Sequence, residues 1–243
     1  MNFKDVVFWT QTFSITGWSR RSIDLMNFIG TNCKIDPSVK MGDNCLIGDN
    51  VIIRQNVTLG NNVTICENCI IGDTPTIWGI QSGDDERFNK ELIIEDGVTI
   101  KSFTTIERGG LTEASRIGKD TDIGAYCYIG HDANIGEQCL IFPYVFFCGS
   151  VTLHNKVVIL SHATLFNDVV LGEATSVFHG SQVFKSTEPG ARIAGVFGDT
   201  FKEYCKKKNF LKHISKTLQR IKDLEDTVYG KDCREHKETV QQS

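Results

Sequence analysis

An aliphatic residue recurs at every sixth position over most of this 243-residue chain, and that period restricts the possible folds more than any other feature. The repeat runs from position 29 to 71, resumes at 94, 100 and 106, and continues from 117 to 183, with Phe147 as its one aromatic member. A period of six matches neither a helix of 3.6 residues per turn nor one long strand. Each hexad must therefore be a short strand followed by a turn.

The pattern resembles the hexapeptide repeat of the left-handed parallel β-helix, in which three hexads form one triangular coil and coils stack roughly 4.8 Å apart. In that fold the aliphatic position and the usually small position four residues later both face the interior. Five of the nine cysteines occupy the small position, where a reduced thiol packs as a small hydrophobe. They are Cys33, Cys45, Cys69, Cys127 and Cys139. The predicted fold class is an all-β solenoid with a C-terminal α-helical segment.

Breaks in the period suggest the domain organisation. Residues 1–28 are predicted to form a short N-terminal cap, and residues 29–185 are predicted to form the β-helix. Two interruptions, at 73–92 and 108–116, are predicted to be inserted loops, because a solenoid usually places its insertions on one face. Over 186–243 a linker with Pro and Gly precedes apolar residues spaced three and four apart, which predicts a C-terminal helix or helical pair.

Composition and charge argue against several functional classes. The formal net charge of −4 provides no overall basic field for nucleic acid. No stretch approaches transmembrane length, and the N-terminus has no signal-peptide pattern, so we expect a cytoplasmic protein without a transmembrane segment. A γ-type carbonic anhydrase would need histidines gathered round zinc. The available His154, His162 and His179 fall at other corners, so we predict no metal site and no bound cofactor.

One column of outward positions holds residue types that are suited to catalysis and to phosphate binding. With eighteen residues per coil, His131 should stack with Gly149, Asn167 and Lys185, and Arg108 should fall at the same corner one coil earlier. Histidine is suited to act as a base near neutral pH when an amine or hydroxyl attacks a thioester. The unshielded N–H of Gly149 would stabilise an oxyanion, and Lys185 and Arg108 would hold phosphates. The alternative interpretation is that His131 occupies an ordinary polar turn.

The stretch from "TTIERGGL" through "IGKDTDIGAYCYIGHDANIGEQC" to "STEPG" is similar to the bacterial UDP-3-O-acylglucosamine N-acyltransferases and to related nucleotide-amino-sugar N-acyltransferases. Its most specific part is the Ile-Gly-His-Asp segment at His131 and Asp132. The resemblance implies that His131 is the general base, that the Gly149 N–H faces the oxyanion, and that the protein is a homotrimer. Asn167 and Asp132 are predicted to bind substrate. Trp78 in the first interruption would stack on the nucleotide base of the substrate.

These observations together predict an N-acyltransferase that moves an acyl group from an acyl carrier protein or coenzyme A thioester to the amine of a nucleotide-linked amino sugar, in lipid A or surface-glycan synthesis. A basic segment over 201–222, with eight Lys or Arg and a single acidic residue, would attract the acidic carrier protein or the phosphates of coenzyme A. Two alternatives stay open. One is an acetyl-CoA-dependent N-acetyltransferase of a nucleotide deoxyamino sugar, and the other is a non-catalytic assembly module.

Overall fold

A computed structural model describes residues 26–77, 90–111, 114–195 and 201–229, and within these ranges the chain forms strands β1 to β24 and one helix, α1. The strands form three parallel sheets. The first sheet contains β1 (Phe28–Ile29), β4 (Leu46–Ile47), β7 (Thr64–Ile65), β10 (Thr99–Ile100), β13 (Asp122–Ile123), β16 (Leu140–Ile141), β19 (Val158–Ile159), β22 (Ser176–Val177) and β24 (Arg192–Ile193).

The other two sheets have the same stacked arrangement. The second sheet contains β2 (Lys34–Ile35), β5 (Ile52–Ile53), β8 (Ile70–Asp73), β11 (Thr105–Glu107), β14 (Tyr128–Ile129), β17 (Phe146–Phe147), β20 (Thr164–Leu165) and β23 (Gln182–Val183). The third contains β3 (Lys40–Met41), β6 (Val57–Leu59), β9 (Glu91–Ile94), β12 (Ala114–Ile117), β15 (Asn134–Ile135), β18 (Thr152–Leu153) and β21 (Val170–Leu171). Consecutive strands thus belong to different sheets, and three strands complete one coil.

The register of the sheets brings the hexads of successive coils into line. Ile129 of β14 pairs with Phe147 of β17, and Phe147 pairs in turn with Leu165 of β20. The aliphatic positions therefore form continuous interior columns, and nearly all of them are fully buried. This burial explains the period of six, because each hexad contributes one large and one small side chain to the core of its coil.

The interior cysteines pack as the sequence predicted. Cys45, Cys69, Cys127 and Cys139 are buried, and Cys33 in the first coil is half-buried. All five are free thiols. Burial raises the pKa of both the Cys69 and the Cys127 thiol to about 11, so neither is a reactive thiolate at neutral pH.

An aromatic column follows one corner of the coils. Phe103, Tyr126, Tyr144 and His162 occupy successive left-handed positions, with φ between 58° and 63°. Neighbouring ring centroids lie 4.9 to 5.0 Å apart and the rings are nearly parallel. A left-handed backbone costs an L-residue roughly 1–2 kcal/mol, and each stacked pair returns about 0.5–1.5 kcal/mol. Stacking thus offsets much of the backbone strain at this corner.

The two interruptions of the period begin and end in strand structure. Residues 78–89, most of the first interruption, lie outside the described residues, as does the N-terminal segment 1–25. The last residues of the second interruption belong to a strand, because Ala114–Ile117 pairs with Glu91–Ile94 along its full length. The irregular part of this interruption is therefore shorter than the predicted 108–116. Strand pairing also continues past 185, since Arg192–Ile193 pairs with Ser176–Val177.

The helix α1 spans Phe201–Tyr229 and belongs to a separate compact unit that begins at Val196. Exposed apolar side chains recur along it at helical spacing. They are Phe210, Ile214, Leu218, Ile221, Leu224 and Val228. Within the described residues no helix has the length and apolar character that crossing a membrane requires.

Candidate functional site

His131 lies at the corner that follows β14, in the turn between the second and third sheets. Its Nδ1 is 2.7 Å from Oδ2 of Asp132, and only 10% of its side chain is exposed. A carboxylate accepts hydrogen bonds from N–H groups, so this contact favours the tautomer with the proton on Nδ1 and the lone pair on Nε2. The arrangement therefore presents the imidazole as a base through Nε2.

The Asp132 carboxylate is enclosed by the second interruption. The side chain of Asp132 is completely buried, and its carboxylate also accepts hydrogen bonds from the backbone N–H groups of Gly110 and Leu111, at 2.9 to 3.1 Å. Asp132 thus contacts both the His131 ring and two backbone amides, and its part in binding substrate stays a prediction. The second interruption supplies both amides, so this short segment fixes the orientation of the imidazole.

Gly149 lies directly against the His131 ring, one coil further along the column. A Cβ atom at position 149 would lie under 3.0 Å from Cε1 and Nε2 of His131, closer than carbon atoms can approach. Gly149 is buried, and the backbone N–H of Ser150 donates to the carbonyl oxygen of His131 at 2.8 Å. The absence of a side chain at 149 is therefore a steric requirement of the histidine.

The backbone N–H at this place of the hexad has an acceptor in some of the described coils and none in others. At the equivalent position, the Glu137 N–H donates to Asn155 Oδ1 at 2.9 Å, and Asn155 lies eighteen residues later in the next coil. Asn167 is the corresponding residue above Gly149, yet within the described part of the chain the Gly149 N–H donates to no acceptor. Buried backbone donors are rarely unpaired in proteins. This donor is available to an anion beside Nε2.

Glu107 forms a buried cluster that the sequence analysis missed. One carboxylate oxygen accepts hydrogen bonds from Thr76 N at 3.0 Å, Thr76 Oγ1 at 2.5 Å and Tyr128 OH at 2.5 Å. The other accepts a hydrogen bond from His131 N at 2.9 Å. Glu107 thus connects the start of the first interruption with the backbone of the histidine.

The carboxylates control the titration of the site. The hydrogen bond with Asp132 is the main cause of a raised His131 pKa, partly opposed by desolvation, with smaller contributions from the charges of Glu107 and Asp168. Burial, with the hydrogen bond to Glu107, raises the pKa of Tyr128 to about 12, so its hydroxyl remains protonated at neutral pH. Positive charge on the imidazole is stabilised in this surrounding.

The other predicted residues are spread along the corner. Asn167 and Lys185 follow β20 and β23 in the same sheet as His131, and both are exposed. Arg108 is almost fully buried and its Nη1 donates to the carbonyl oxygen of Gly72 at 2.9 Å, in the coil before His131. Trp78 lies outside the described residues. Among the described residues, no three His, Cys, Asp or Glu side chains are grouped to hold a metal ion.

A model of the bacterial transferase hexapeptide (six repeats) family matches residues 28–61. A UDP-3-O-acylglucosamine N-acyltransferase from Methylobacterium nodulans is 30% identical over 137 residues, which is 56% of this chain and 38% of the relative. The enzyme of the same name from Methylobacterium sp. is 29% identical over 136 residues, with the same coverage. The matching segment thus spans about two fifths of these relatives.

Solved structures share the architecture. A UDP-N-acetylglucosamine acyltransferase from Campylobacter jejuni has a TM-score of 0.59 and 23% identity, covering 67% of this chain and 65% of that one. The enzyme from Francisella novicida has a TM-score of 0.58 and 22% identity, covering 81% and 78%. These likenesses confirm the predicted fold class. The chain is therefore a left-handed parallel β-helix, and it is similar in sequence and fold to acyltransferases named for UDP-linked sugars.

Proposed function

We propose that this protein is an N-acyltransferase that moves an acyl group from the thioester of an acyl carrier protein or coenzyme A to the amine of a nucleotide-linked amino sugar. The observation that carries the proposal is the buried His131–Asp132 pair, whose imidazole lies against Gly149, a residue whose N–H has no acceptor among the described residues. A base and an anion donor side by side suit attack on a carbonyl carbon. The similarity to acyltransferases named for UDP-sugars supports this reaction class.

In the proposed reaction, the sugar nitrogen attacks the thioester carbonyl carbon and gives up a proton to Nε2 of His131. The carbonyl oxygen becomes an oxyanion and accepts the hydrogen bond of the Gly149 N–H. Collapse of the tetrahedral intermediate breaks the C–S bond, and the imidazolium returns its proton to the sulfur. The products are an amide and a free thiol, and no redox change occurs.

Asp132 is a positioning residue in this scheme. It fixes the tautomer with Nδ1 protonated and stabilises the imidazolium that forms during attack. Asn167 and Lys185 lie further along the same corner, where their exposed side chains would contact substrate. We further propose that the protein acts as a homotrimer. The exposed cations of α1, such as Lys216 and Arg220, would bind the acidic carrier protein or the phosphates of coenzyme A.

The function is tested by measuring thiol release from a panel of acyl-carrier-protein and acyl-CoA donors with UDP- and dTDP-linked amino sugars. Release from a long-chain carrier-protein donor supports the proposal in its lipid A form. Release from acetyl-CoA with a deoxyamino sugar selects N-acetyl transfer for surface glycans. If no donor releases thiol with any acceptor, the protein is not an acyltransferase of this class and the assembly-module interpretation replaces the proposal.

The pH dependence tests the role of Asp132. A base must be neutral to accept a proton, so turnover is expected to fall as the pH drops below the raised pKa of His131. Asp132→Asn removes the main cause of that rise, so the acidic limb of kcat/KM should move to lower pH. The plateau rate should also fall, by about 10²-fold, because the tautomer is no longer fixed.

Asp168→Asn is the matched control for this pH profile. Asp168 raises the pKa of His131 less than Asp132 does, and its side chain is exposed. We therefore expect a smaller displacement of the acidic limb with an unchanged plateau. An Asp132→Asn profile that coincides with that of the unmodified protein would contradict the positioning role.

A further inference from the structure

A cavity of about 620 Å³ opens beside the same sheet, toward the N-terminal coils. Its lining includes Arg108 after β11, Arg54 and Gln55 after β5, Thr74 after β8, and Lys34 and Asp36 at β2. Volumes of this size are typical of small-molecule sites. The cavity is separate from the His131 ring, but Arg108 directly follows Glu107, whose carboxylate binds the His131 backbone.

Arg108 is the most unusual group of this lining. It is only 3% exposed, and within the described part of the chain its buried Nε has no hydrogen-bond partner, although Nη1 donates to the Gly72 carbonyl. Burial lowers the pKa of its guanidinium, which is nevertheless charged at neutral pH because arginine is such a weak acid. A buried cation with an unpaired donor needs an anionic or polar partner.

The charge of the lining also favours an anion. Among the described residues of the lining, Lys34, Arg54 and Arg108 are cations and Asp36 is the one carboxylate, while the charge of the nearby Asp73 also acts on Arg108. Asp36 accepts hydrogen bonds from the N–H and hydroxyl of Ser38, which lower its pKa. Arg54 uses Nε in an ion pair with Asp73 at 2.9 Å, and its terminal nitrogens are further donors of a planar fork suited to phosphate oxygens.

We propose that this cavity binds the diphosphate of a substrate, with Arg108, Arg54 and Lys34 as its cationic contacts. Gln55 and Thr74 contribute neutral donors at the same wall. The inference deepens the proposed function, on which it rests for the identity of the ligand. A diphosphate occurs both in a UDP-linked sugar and in coenzyme A, so the chemistry of the site is shared by acceptor and donor.

The experiment is isothermal titration of the full chain with UDP, coenzyme A and inorganic pyrophosphate, each without the second substrate. We expect Arg108→Gln to weaken binding of pyrophosphate, and of UDP or coenzyme A, by at least tenfold. Arg116→Gln is the matched control, because it removes the same charge from an exposed side chain on the third sheet, and it should change affinity less than twofold.

Because Arg108 is buried, Arg54→Gln provides a second variant that leaves the core in place. Its side chain is 47% exposed, and we expect a threefold to tenfold loss of pyrophosphate affinity. Weakened UDP binding assigns the site to the sugar nucleotide, and weakened coenzyme A binding assigns it to the donor. Unchanged affinities in both variants, or no binding of any probe at millimolar concentration, would overturn the proposal.

These titrations are separate from the test of turnover. If the probes bind through Arg108 while no donor releases thiol, the acyl-transfer proposal fails and the diphosphate site stands. If thiol is released and Arg108→Gln has the KM values of the unmodified protein for both substrates, the diphosphate site fails and acyl transfer stands.

Discussion

Replacing His131 by alanine should reduce the rate of acyl transfer by about 10³-fold, since general base catalysis contributes about 10²–10⁴ to such reactions and the described residues place no other base at Nε2. Glu107 and Asp132 are carboxylates in contact with His131, but both are buried and engaged in hydrogen bonds. Neither is placed to accept the proton of an incoming amine. The measurement is thiol release under saturating donor and acceptor.

The control for this variant is His162→Ala. His162 is exposed and stacks on Tyr144 at the aromatic column, so its removal should leave turnover unchanged. His131→Ala should keep its oligomeric state and most of its thermal stability, because the alanine leaves the interior columns intact. A His131→Ala protein with more than a tenth of the original rate would rule out this histidine as the base.

Gly149→Ala should impair both catalysis and stability. The added methyl group would overlap Cε1 and Nε2 of His131, so the ring or the coil must move. Overpacking of a well-packed site costs typically about 1–3 kcal/mol, and loss of one oxyanion donor costs about 10²–10³ in kcat. We therefore expect a lower free energy of unfolding in urea and a fall in turnover of at least 10²-fold.

A double-mutant cycle distinguishes this clash from a general intolerance of alanine at position 149. In the His131→Ala background the ring is absent, so Gly149→Ala should destabilise the protein far less than it does beside the native histidine. The coupling free energy should be about 1 kcal/mol or more. Equal losses of stability in both backgrounds would show that the histidine is not what excludes a side chain.

The column of candidate site residues was predictable because the strand register is uniform from β14 to β20. Ile129, Phe147 and Leu165 pair in sequence, so the residues two places later must follow one corner. A strict period thus converts sequence spacing into spatial neighbours without any knowledge of side-chain packing. The stacking of His131 with Gly149 follows from this rule alone.

Arg108 and Glu107 show where the rule fails. The pairing of β11 with β8 shifts register between Ile106 and Glu107, so Glu107 continues the strand opposite Asp73. The shift places the Glu107 carboxylate next to the backbone of His131 and leaves Arg108 in the cavity. A β-bulge of this kind depends on the inserted residues around it, and no sequence period reveals it.

The burial of Asp132 could not be predicted from the sequence either. Its carboxylate is enclosed because it accepts hydrogen bonds from the amides of Gly110 and Leu111, twenty-two and twenty-one residues earlier in the chain. Such a contact depends on the conformation of an irregular segment, for which the hexad pattern makes no prediction. The same Ile-Gly-His-Asp letters on a regular corner would leave the aspartate facing solvent.

The stacking of coils gives the chain an unusual tolerance of changes in length. Each strand of the sheets pairs only with the coils directly before and after it, and Glu107, His131 and Gly149 come from three successive coils. Whole coils of eighteen residues added after Gly149 would therefore lengthen the β-helix without moving Glu107, His131 or Gly149. An insertion of any other length within a strand would rotate every later corner out of phase, unless it loops out of the coil and strand pairing resumes after it, as pairing does after the two interruptions.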